Sequence, residues 1–227
     1  MGISRGNITT NIIKSGLIFN MDPANRASYP KTGTTITETI NSVAGTFNGN
    51  TFVDNYSGVI DFDGVDDLIE FGSNSNLDVD YISIFFWSYR DSAVSNGVYL
   101  SRWGLSNNFN IIVRESSNNL RFQLQTSGGS FFSNTDITLS NGSWNYYGVT
   151  FDGVVANVYQ NGALVSSTSF TGTLKTGTPQ LEFGDRQGGN EPPFNGQLGL
   201  VHIYNRALLT SEILHNYNAL KGRFGLS

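Results

Sequence analysis

This 227-residue chain has no cysteine, so no disulfide stabilises it and no thiolate is available as nucleophile or metal ligand; packing must carry the fold. Charge is scarce as well. Asp, Glu, Lys and Arg make up 14% of the residues, and 13 basic side chains against 18 acidic ones leave a net charge of −5. That balance lacks the basic stripe that neutralises phosphates, so neither nucleic acid nor an anionic membrane is an expected partner. Long apolar runs are missing: no segment approaches the roughly 18 residues of a membrane span. The opening "MGISRGNITTNIIKSG" holds no apolar core of signal-peptide length, and Gly6 stands where a myristoylation signal needs Ser or Thr. The two histidines, His202 and His215, form no zinc-like pair. His202, inside "LVHIY", is expected to be a strand residue with a satisfied ring.

What the chain does have is Gly, Asn, Ser and Thr in abundance and 13% aromatics, a composition suited to short strands and many turns. The length fits one large all-β domain. In "NYYGVTFDGVVANVYQNGALVSSTSF" (residues 145–170), Tyr147, Val149 and Phe151 alternate with small or polar neighbours. Asp152-Gly153 and Asn161-Gly162 then supply two turns of the I′ kind, predicting a three-strand meander. "GLIFNM", "VIDF", "LIEF", "YISIFFWSYR", "GVYLSRW", "NIIVRE", "LRFQLQT", "QLEFG" and "LGLVHIY" read as further strands. Their spacing of about 8 to 12 residues points to a sandwich or jelly roll, and no fixed-period repeat favours a propeller or solenoid. One helix is predicted at "TSEILHNYNALKG", with Ile213, Leu214, Tyr217 and Leu220 forming its buried stripe.

In this order, "GLIFNMDPANRASYPKTGTT", "IDFDGVDDLIEF", "WNYYGVTFDGVVANVYQNGALV" and "FNGQLGLVHIYNRALLTSEILHNYNALKGRFG" resemble the blocks of concanavalin A-like jelly rolls of the laminin G-like group. The variant they are most similar to is common in bacteriophage virion proteins. The resemblance spans residues 16–224 and is most specific in "MDPANRASYP" and the "YNRAL…EI…NYNA" tail. It implies an all-β, two-sheet antiparallel jelly-roll sandwich over residues 16–227, with first and last strands adjacent, one short C-terminal helix, and residues 1–15 as an N-terminal arm. It implies no single function, because the fold serves lectins, adhesion modules, glycosidases and virion components alike. Leu209 departs from the pattern, standing where relatives carry Ser, so Thr210 is expected to cap the helix without a reciprocal contact from Glu212.

Five of the eighteen acids crowd into "DFDGVDDLIE", residues 61–70. An EF-hand loop starting at Asp61 would need an oxygen ligand, Gly and Glu where the chain has Val65, Asp66 and Gly72. A looser calcium site through Asp66 or Asp67 is the metal alternative; the favoured reading is a hairpin whose turn the acids line. Glycosidases of this fold carry Glu-x-Asp-x-(x)-Glu on one strand, and no such string occurs. Glu182 and Asp185, three apart, face opposite ways on a regular strand. There is no Gly-x-Ser-x-Gly elbow, phosphate loop or dinucleotide fingerprint.

The resulting expectation is a non-catalytic binding or structural module, namely a bacteriophage virion component such as a head decoration or tail appendage subunit. Such a part is assembled in the host cytoplasm, with other virion proteins and copies of itself as partners. The alternative is a glycan-binding, lectin-like module for host-surface attachment; a glycoside hydrolase is the third reading. No cofactor is called for. Rings stack on sugar faces while Asn, Asp and Arg hydrogen-bond hydroxyls. Candidate glycan contacts are therefore Trp103, Asn107, Asn108 and Phe109, and Asp185, Arg186, Asn190 and Glu191 of "DRQGGNE". Trp87 and Trp144, inside strand runs, are expected in the core. In the arm, Ile8, Ile12 and Ile13 are costly to leave in water and are expected to dock on an adjacent virion subunit by strand addition.

Overall fold

Period-two alternation gives each strand one face for the interior. The computed structural model, which describes residues 11–102, 111–132, 137–177, 179–186 and 190–227, assembles such strands into two stacked antiparallel sheets. In chain order they are β1 (Leu17–Met21), β2 (Thr35–Thr37), β3 (Ala44–Asn48), β4 (Thr51–Val53), β5 (Val59–Asp63) and β6 (Leu68–Ser73). Next come β7 (Ile82–Arg90), β8 (Val98–Arg102), β9 (Ile111–Ser116), β10 (Asn119–Thr126), β11 (Gly129–Phe132) and β12 (Ile137–Thr138). The last are β13 (Trp144–Phe151), β14 (Val155–Gln160), β15 (Ala163–Ser169), β16 (Gln180–Phe183) and β17 (Asn195–Tyr204), followed by helix α1 (Thr210–Leu220) and a 3₁₀ turn, Lys221–Phe224. The first sheet runs β15-β14-β13-β7-β17-β5-β4, with β1 also on β17; the second runs β11-β10-β9-β8-β16-β6-β3-β2, with β12 on β10. First and last strands are thus adjacent, Met21 lying opposite Val201. No helix among the described residues is long and apolar enough to cross a membrane.

Between the sheets lie Phe19, Phe71 and Phe183, in mutual edge or tilted contact, with the aliphatic side chains of both inner faces. One ion pair is buried with them. Arg90 of β7 reaches across to Glu115 of β9 with two parallel bonds, Nε to Oε1 at 2.9 Å and Nη2 to Oε2 at 2.6 Å, and Tyr99 donates its hydroxyl to the same carboxylate at 3.3 Å. Burial pushes the Glu115 carboxyl upward while Arg90 pulls it back. The pair ties one sheet to the other, and removing one partner of such a pair typically costs about 3 to 5 kcal/mol.

The first sheet carries a second core on its outer face: Phe85, Trp87, Trp144, Tyr146, Leu200 and Tyr204, roofed by Ile213 of α1 and by Phe224. Trp87 stacks on Phe224 at 4.3 Å between ring centroids. Gly148 belongs to this design, since a Cβ there would sit 2.0 Å from the Phe85 ring. Both tryptophans of the strand runs are in the core, as expected.

The meander forms, but its two turns differ. Asn161 and Gly162 have φ of 51° and 80° between the paired residues Gln160 and Ala163, a two-residue I′ turn. At Asp152-Gly153 the connection has three residues: the Asp152 carboxylate accepts the N–H groups of Val154 (2.9 Å) and Val155 (2.7 Å), and only Gly153 takes positive φ.

The stretch 61–70 is not a hairpin. β5 pairs with β4 and β17 in the first sheet, and β6 pairs with β3 and β16 in the second. Residues 64–67 therefore carry the chain from one layer to the other. Ile60 and Phe62 on one side and Ile69 and Phe71 on the other bury their side chains by facing across the core, which a side-by-side pairing would not allow.

α1 is rotated slightly from expectation: Ile213 and Asn216 are fully buried, whereas Leu214 is 47% exposed. Leu209 is the N-cap, and its N–H donates to Glu212 Oε2 at 2.8 Å. The Glu half of the capping arrangement thus survives without a hydroxyl, because Arg206 holds Glu212 from behind with bonds of 2.8 and 2.7 Å and thereby lowers its carboxyl. Thr210 lies inside the helix rather than capping it.

The described part of the arm is bound to its own domain. Ile13 donates its N–H to Asn216 Oδ1 at 2.8 Å and accepts from the Tyr204 hydroxyl at 3.0 Å, and its side chain packs on the outer core. Asn11 O meets His215 Nε2 at 2.9 Å, and Ser15 O accepts from Arg206. A buried Asn216 needs partners for its amide, and Ile13 and Tyr204 supply them. Ile13, expected to anchor a neighbouring subunit, is instead committed to this chain, and Ile12 is half-buried beside it. Ile8 lies outside the described residues.

Candidate functional site

Register builds one continuous row across the outer face of the second sheet. Gln123 lies opposite Ile112, Ile112 opposite Ser101, Ser101 opposite Glu182, Glu182 opposite Glu70, and Glu70 opposite Thr46. Their alternates along each strand, Phe122, Val113, Leu100, Phe183 and Ile69, fill the core, so the polar set points outward. One pair step along, Arg121 lies opposite Arg114, and Arg114 opposite Val98.

The loop after β16 folds onto that end. Glu191 Oε1 accepts from Arg114 Nη1 at 3.3 Å, and Glu191 Oε2 lies 2.5 Å from Arg186 Nη2. Asp185 turns its carboxylate back onto the Arg186 N–H at 2.6 Å, and burial pushes that carboxyl up. Burial also lowers the Arg114 guanidinium; Glu191 opposes this, and the nearby Arg121 and Arg186 add to it. The structure thus brings the predicted Glu191 and Arg186 to Arg114, with Asp185 bound to the Arg186 backbone; sequence reading missed Arg114 because the contact depends on which strands are neighbours. Asn190 is exposed on the same loop. Trp103, Asn107, Asn108 and Phe109 lie outside the described residues. Arg102 and Ile111, between which they fall in the chain, close the β8–β9 pair at the end away from Val98 and Arg114. A strand rise of about 3.3 Å per residue puts these two ends roughly 13 Å apart.

Glu70 and Glu182 are a second finding that no search along single strands could make. They are direct cross-strand neighbours, a relation that brings Cβ atoms to about 5 Å. Glu70 Oε1 accepts from Gln180 Nε2 at 2.9 Å, and Glu182 Oε2 from Ser101 Oγ at 3.1 Å. Glu182 and Ser101 are buried, and Glu70 is the partly exposed member of the pair.

At the crossing between layers, carboxylate oxygens of Asp63, Asp66 and Asp67 all lie within 4.8 Å of one another. The turn curls Asp66 and Asp67 together, where adjacent strand positions would diverge. Two of these acids have structural work to do. Asp67 Oδ2 accepts the Asp63 N–H at 2.9 Å, and Asp63 Oδ1 accepts those of Val65 (2.8 Å) and Asp66 (3.4 Å). Burial pushes the Asp67 carboxyl up, and the neighbouring acids add to this against the backbone bond that lowers it. A calcium ion takes six to eight oxygens; three carboxylates, two of them already serving the turn, supply only part of such a shell.

His202 is 2% exposed, and among the described residues its Nδ1 has no hydrogen-bond partner. The satisfied ring expected of a strand histidine is therefore not what the fold provides. Burial holds its pKa down to about 4, with Asp22 pulling up and Arg223 pushing down. Asp22 Oδ1 is bound by Arg223 Nη1 at 2.7 Å and by the Ala24 N–H at 3.1 Å.

The laminin G-like profile of the concanavalin A-like lectin/glucanases superfamily matches residues 63–214, more than half of the chain. No curated protein sequence matches it. Among solved structures, domain 4 of AbnA, an extracellular arabinanase from Geobacillus stearothermophilus in complex with arabinotriose, superposes with a TM-score of 0.71 at 15% identity, over 92% of this chain and 100% of that one. The binding domain of Paraclostridial Mosquitocidal Protein 1 gives 0.68 at 17% identity, over 90% of this chain and 52% of its own. The binding domain of botulinum neurotoxin serotype G gives 0.63 at 16%, over 88% and 50%. The chain thus spans about half of each toxin binding domain. At these identities the likeness is one of fold.

Proposed function

The chain belongs to the concanavalin A-like lectin/glucanases superfamily, and from that premise we propose that it is a non-catalytic saccharide-binding module serving as an attachment component of a bacteriophage particle. The observation that carries the binding reading is the outer face of the second sheet. There Arg114, Arg186 and Glu191, each partly exposed, meet at one end of a row fixed by strand register in which Glu70 is partly exposed while Glu182, Ser101 and Gln123 are buried. Charged and amide groups on rigid strands orient hydroxyl-rich ligands at little conformational cost. The arabinanase domain that shares the fold was solved with arabinotriose, and the toxin relatives are binding domains; both support the reading. An array of bacterial and algal glycans probed with the full chain is the test. Binding that falls at least tenfold in Arg114→Ala is expected, and silence across the array overturns the proposal.

The virion setting rests on the sequence blocks, above all "MDPANRASYP" and the "YNRAL" tail. Mass spectrometry of purified particles should find peptides of the chain, and their absence would remove the virion role while leaving saccharide binding to stand or fall on the array.

A further inference from the structure

β15 ends the first sheet, paired to β14. The other ends of the two sheets, β4, β11 and β2, have three, four and three residues. β15 has seven, and all but Ser166 are exposed. An edge of that length turns the N–H and C=O of every second residue outward, and proteins ordinarily blunt such edges with charge or proline. "ALVSSTS" carries neither. The register steps once, between Val158 and Tyr159, which bulges Val165 and leaves residues 166–169 regularly paired. An apolar border runs along the turn end of the edge. Leu164 lies opposite Tyr159 of the outer core, and a Cβ at Gly162 would sit 3.2 Å from Leu214 Cδ1, so Leu214 of α1 stands over the same turn. Leu164, Val165 and Leu214 are 50%, 40% and 47% exposed.

We propose that β15 is the contact between two copies of this chain, which pair edge to edge and antiparallel about a two-fold axis, so that their first sheets continue into one. Charge selects a second copy as the occupant, because the two ends of the edge differ in sign. At the Ala163 end, Lys221 Nζ stands 5.8 Å from the ring centre of Tyr217, whose Cβ lies against Gly162. At the Ser169 end is the exposed Asp152, whose carboxylate accepts the N–H of Val155, the residue opposite Ser169. Antiparallel pairing sets the Lys221 end of each copy against the Asp152 end of the other, with uncharged strand between. A chain of net charge −5 thereby meets itself without opposing like charges along the seam. The area is sufficient for a closed pair. Seven residues span roughly 23 Å, and the second sheet backs the edge, the Ser127 N–H donating to Thr173 O at 2.9 Å and the Thr126 hydroxyl to Thr171 O at 3.1 Å. A strip about 22 Å wide then covers roughly 500 Å² per copy, about 1,000 Å² in all, at the lower bound of a specific interface and in keeping with a reversible dimer. The two-fold axis runs perpendicular to the joined sheets, so the outer faces of both second sheets point the same way, a bivalent arrangement.

Sedimentation equilibrium of the full chain should show its mass rising from 24.8 kDa toward twice that value as concentration increases from about 1 μM to about 0.5 mM. Ser167→Lys, at an exposed position in the middle of the edge, sets like charges across the axis and should hold the chain at the monomer mass throughout, with an unchanged melting temperature. Lys221→Glu should raise the dissociation constant at least threefold at low ionic strength, an effect that shrinks as salt is added. The chain has no cysteine, so single substitutions to Cys at Ser166, Ser167 and Thr168 give an independent readout: on mild oxidation at least one should form a covalent dimer. A wild-type mass of one chain at every concentration would overturn the proposal. So would dimerisation undiminished in Ser167→Lys, which would place the contact on another surface, or the absence of cross-linking in all three Cys variants. None of these measurements involves a ligand, so their outcome is independent of the saccharide reading.

Discussion

Acidification should destabilise this protein through His202, and comparison with His202→Leu isolates the effect. In the folded chain the imidazole is held to a pKa of about 4 by burial, against an ordinary 6.5. The unfolded chain therefore takes up the proton first, so the stability associated with a neutral His202 is complete above about pH 6.5 and is lost as pH falls toward 4. The span is about 2.5 units at 1.36 kcal/mol each, or about 3 kcal/mol in full; between pH 7 and pH 4.5 roughly 2 kcal/mol of it should disappear. Other groups have shifted carboxyls as well. Asp67, Asp185 and Glu115 have carboxyls raised by burial, which act in the opposite direction, and Glu212 is lowered. All of these are present in both proteins and cancel in the difference. Urea unfolding of wild type and His202→Leu at the two pH values supplies four free energies. The gap between the proteins should shift by about 2 kcal/mol against the wild type at the lower pH; a shift under about 0.5 kcal/mol would show that the fold accommodates the imidazolium, with Asp22 outweighing burial and Arg223.

On α1, Ile213→Ala should cost about 2 to 5 kcal/mol because that side chain is fully buried, while Leu214→Ala should cost less than about 0.5; equal costs in denaturant melts would contradict the observed rotation of the helix. Removing residues 1–13 deletes the Ile13 groups that pair with Asn216 and Tyr204 and should destabilise the isolated domain by about 1 to 3 kcal/mol; an unchanged melt would mean that the arm is not part of the folding unit. Chelation should leave the melting temperature within error, since backbone N–H groups already engage Asp63 and Asp67; a fall of about ten degrees, reversed by calcium alone, would establish a metal site at the crossing. Prolonged incubation with polysaccharides that bind should release no reducing ends. Release that is lost in both Glu70→Gln and Glu182→Gln would make the cross-strand pair catalytic.

Much of the architecture is local and was legible in the residues. Alternation marks "VIDF" and "LIEF" as strands with one apolar face each before any neighbour is known. Asn161-Gly162 carries its own turn, because positive φ at two successive residues is a property of the dipeptide. The helix over Thr210–Leu220 follows from its apolar stripe, and the family blocks carry the sandwich. Period-two patterning is silent, however, on which strand lies beside which. The same alternation serves a hairpin and a crossing between layers, and only the burial of β5 and β6 on opposite sides of the core decided for the crossing. The sites are products of that decision. Glu70 meets Glu182, and Arg114 meets Glu191, through register between strands distant in the chain. The reason "MDPANRASYP" is so distinctive also lies far away: Asp22 is bound by Arg223, and the solitary nitrogen of His202 is buried among residues from both termini. A side chain's hydrogen-bonding needs are written in its own chemistry, but whether they are met depends on partners that only the closed sandwich brings within reach.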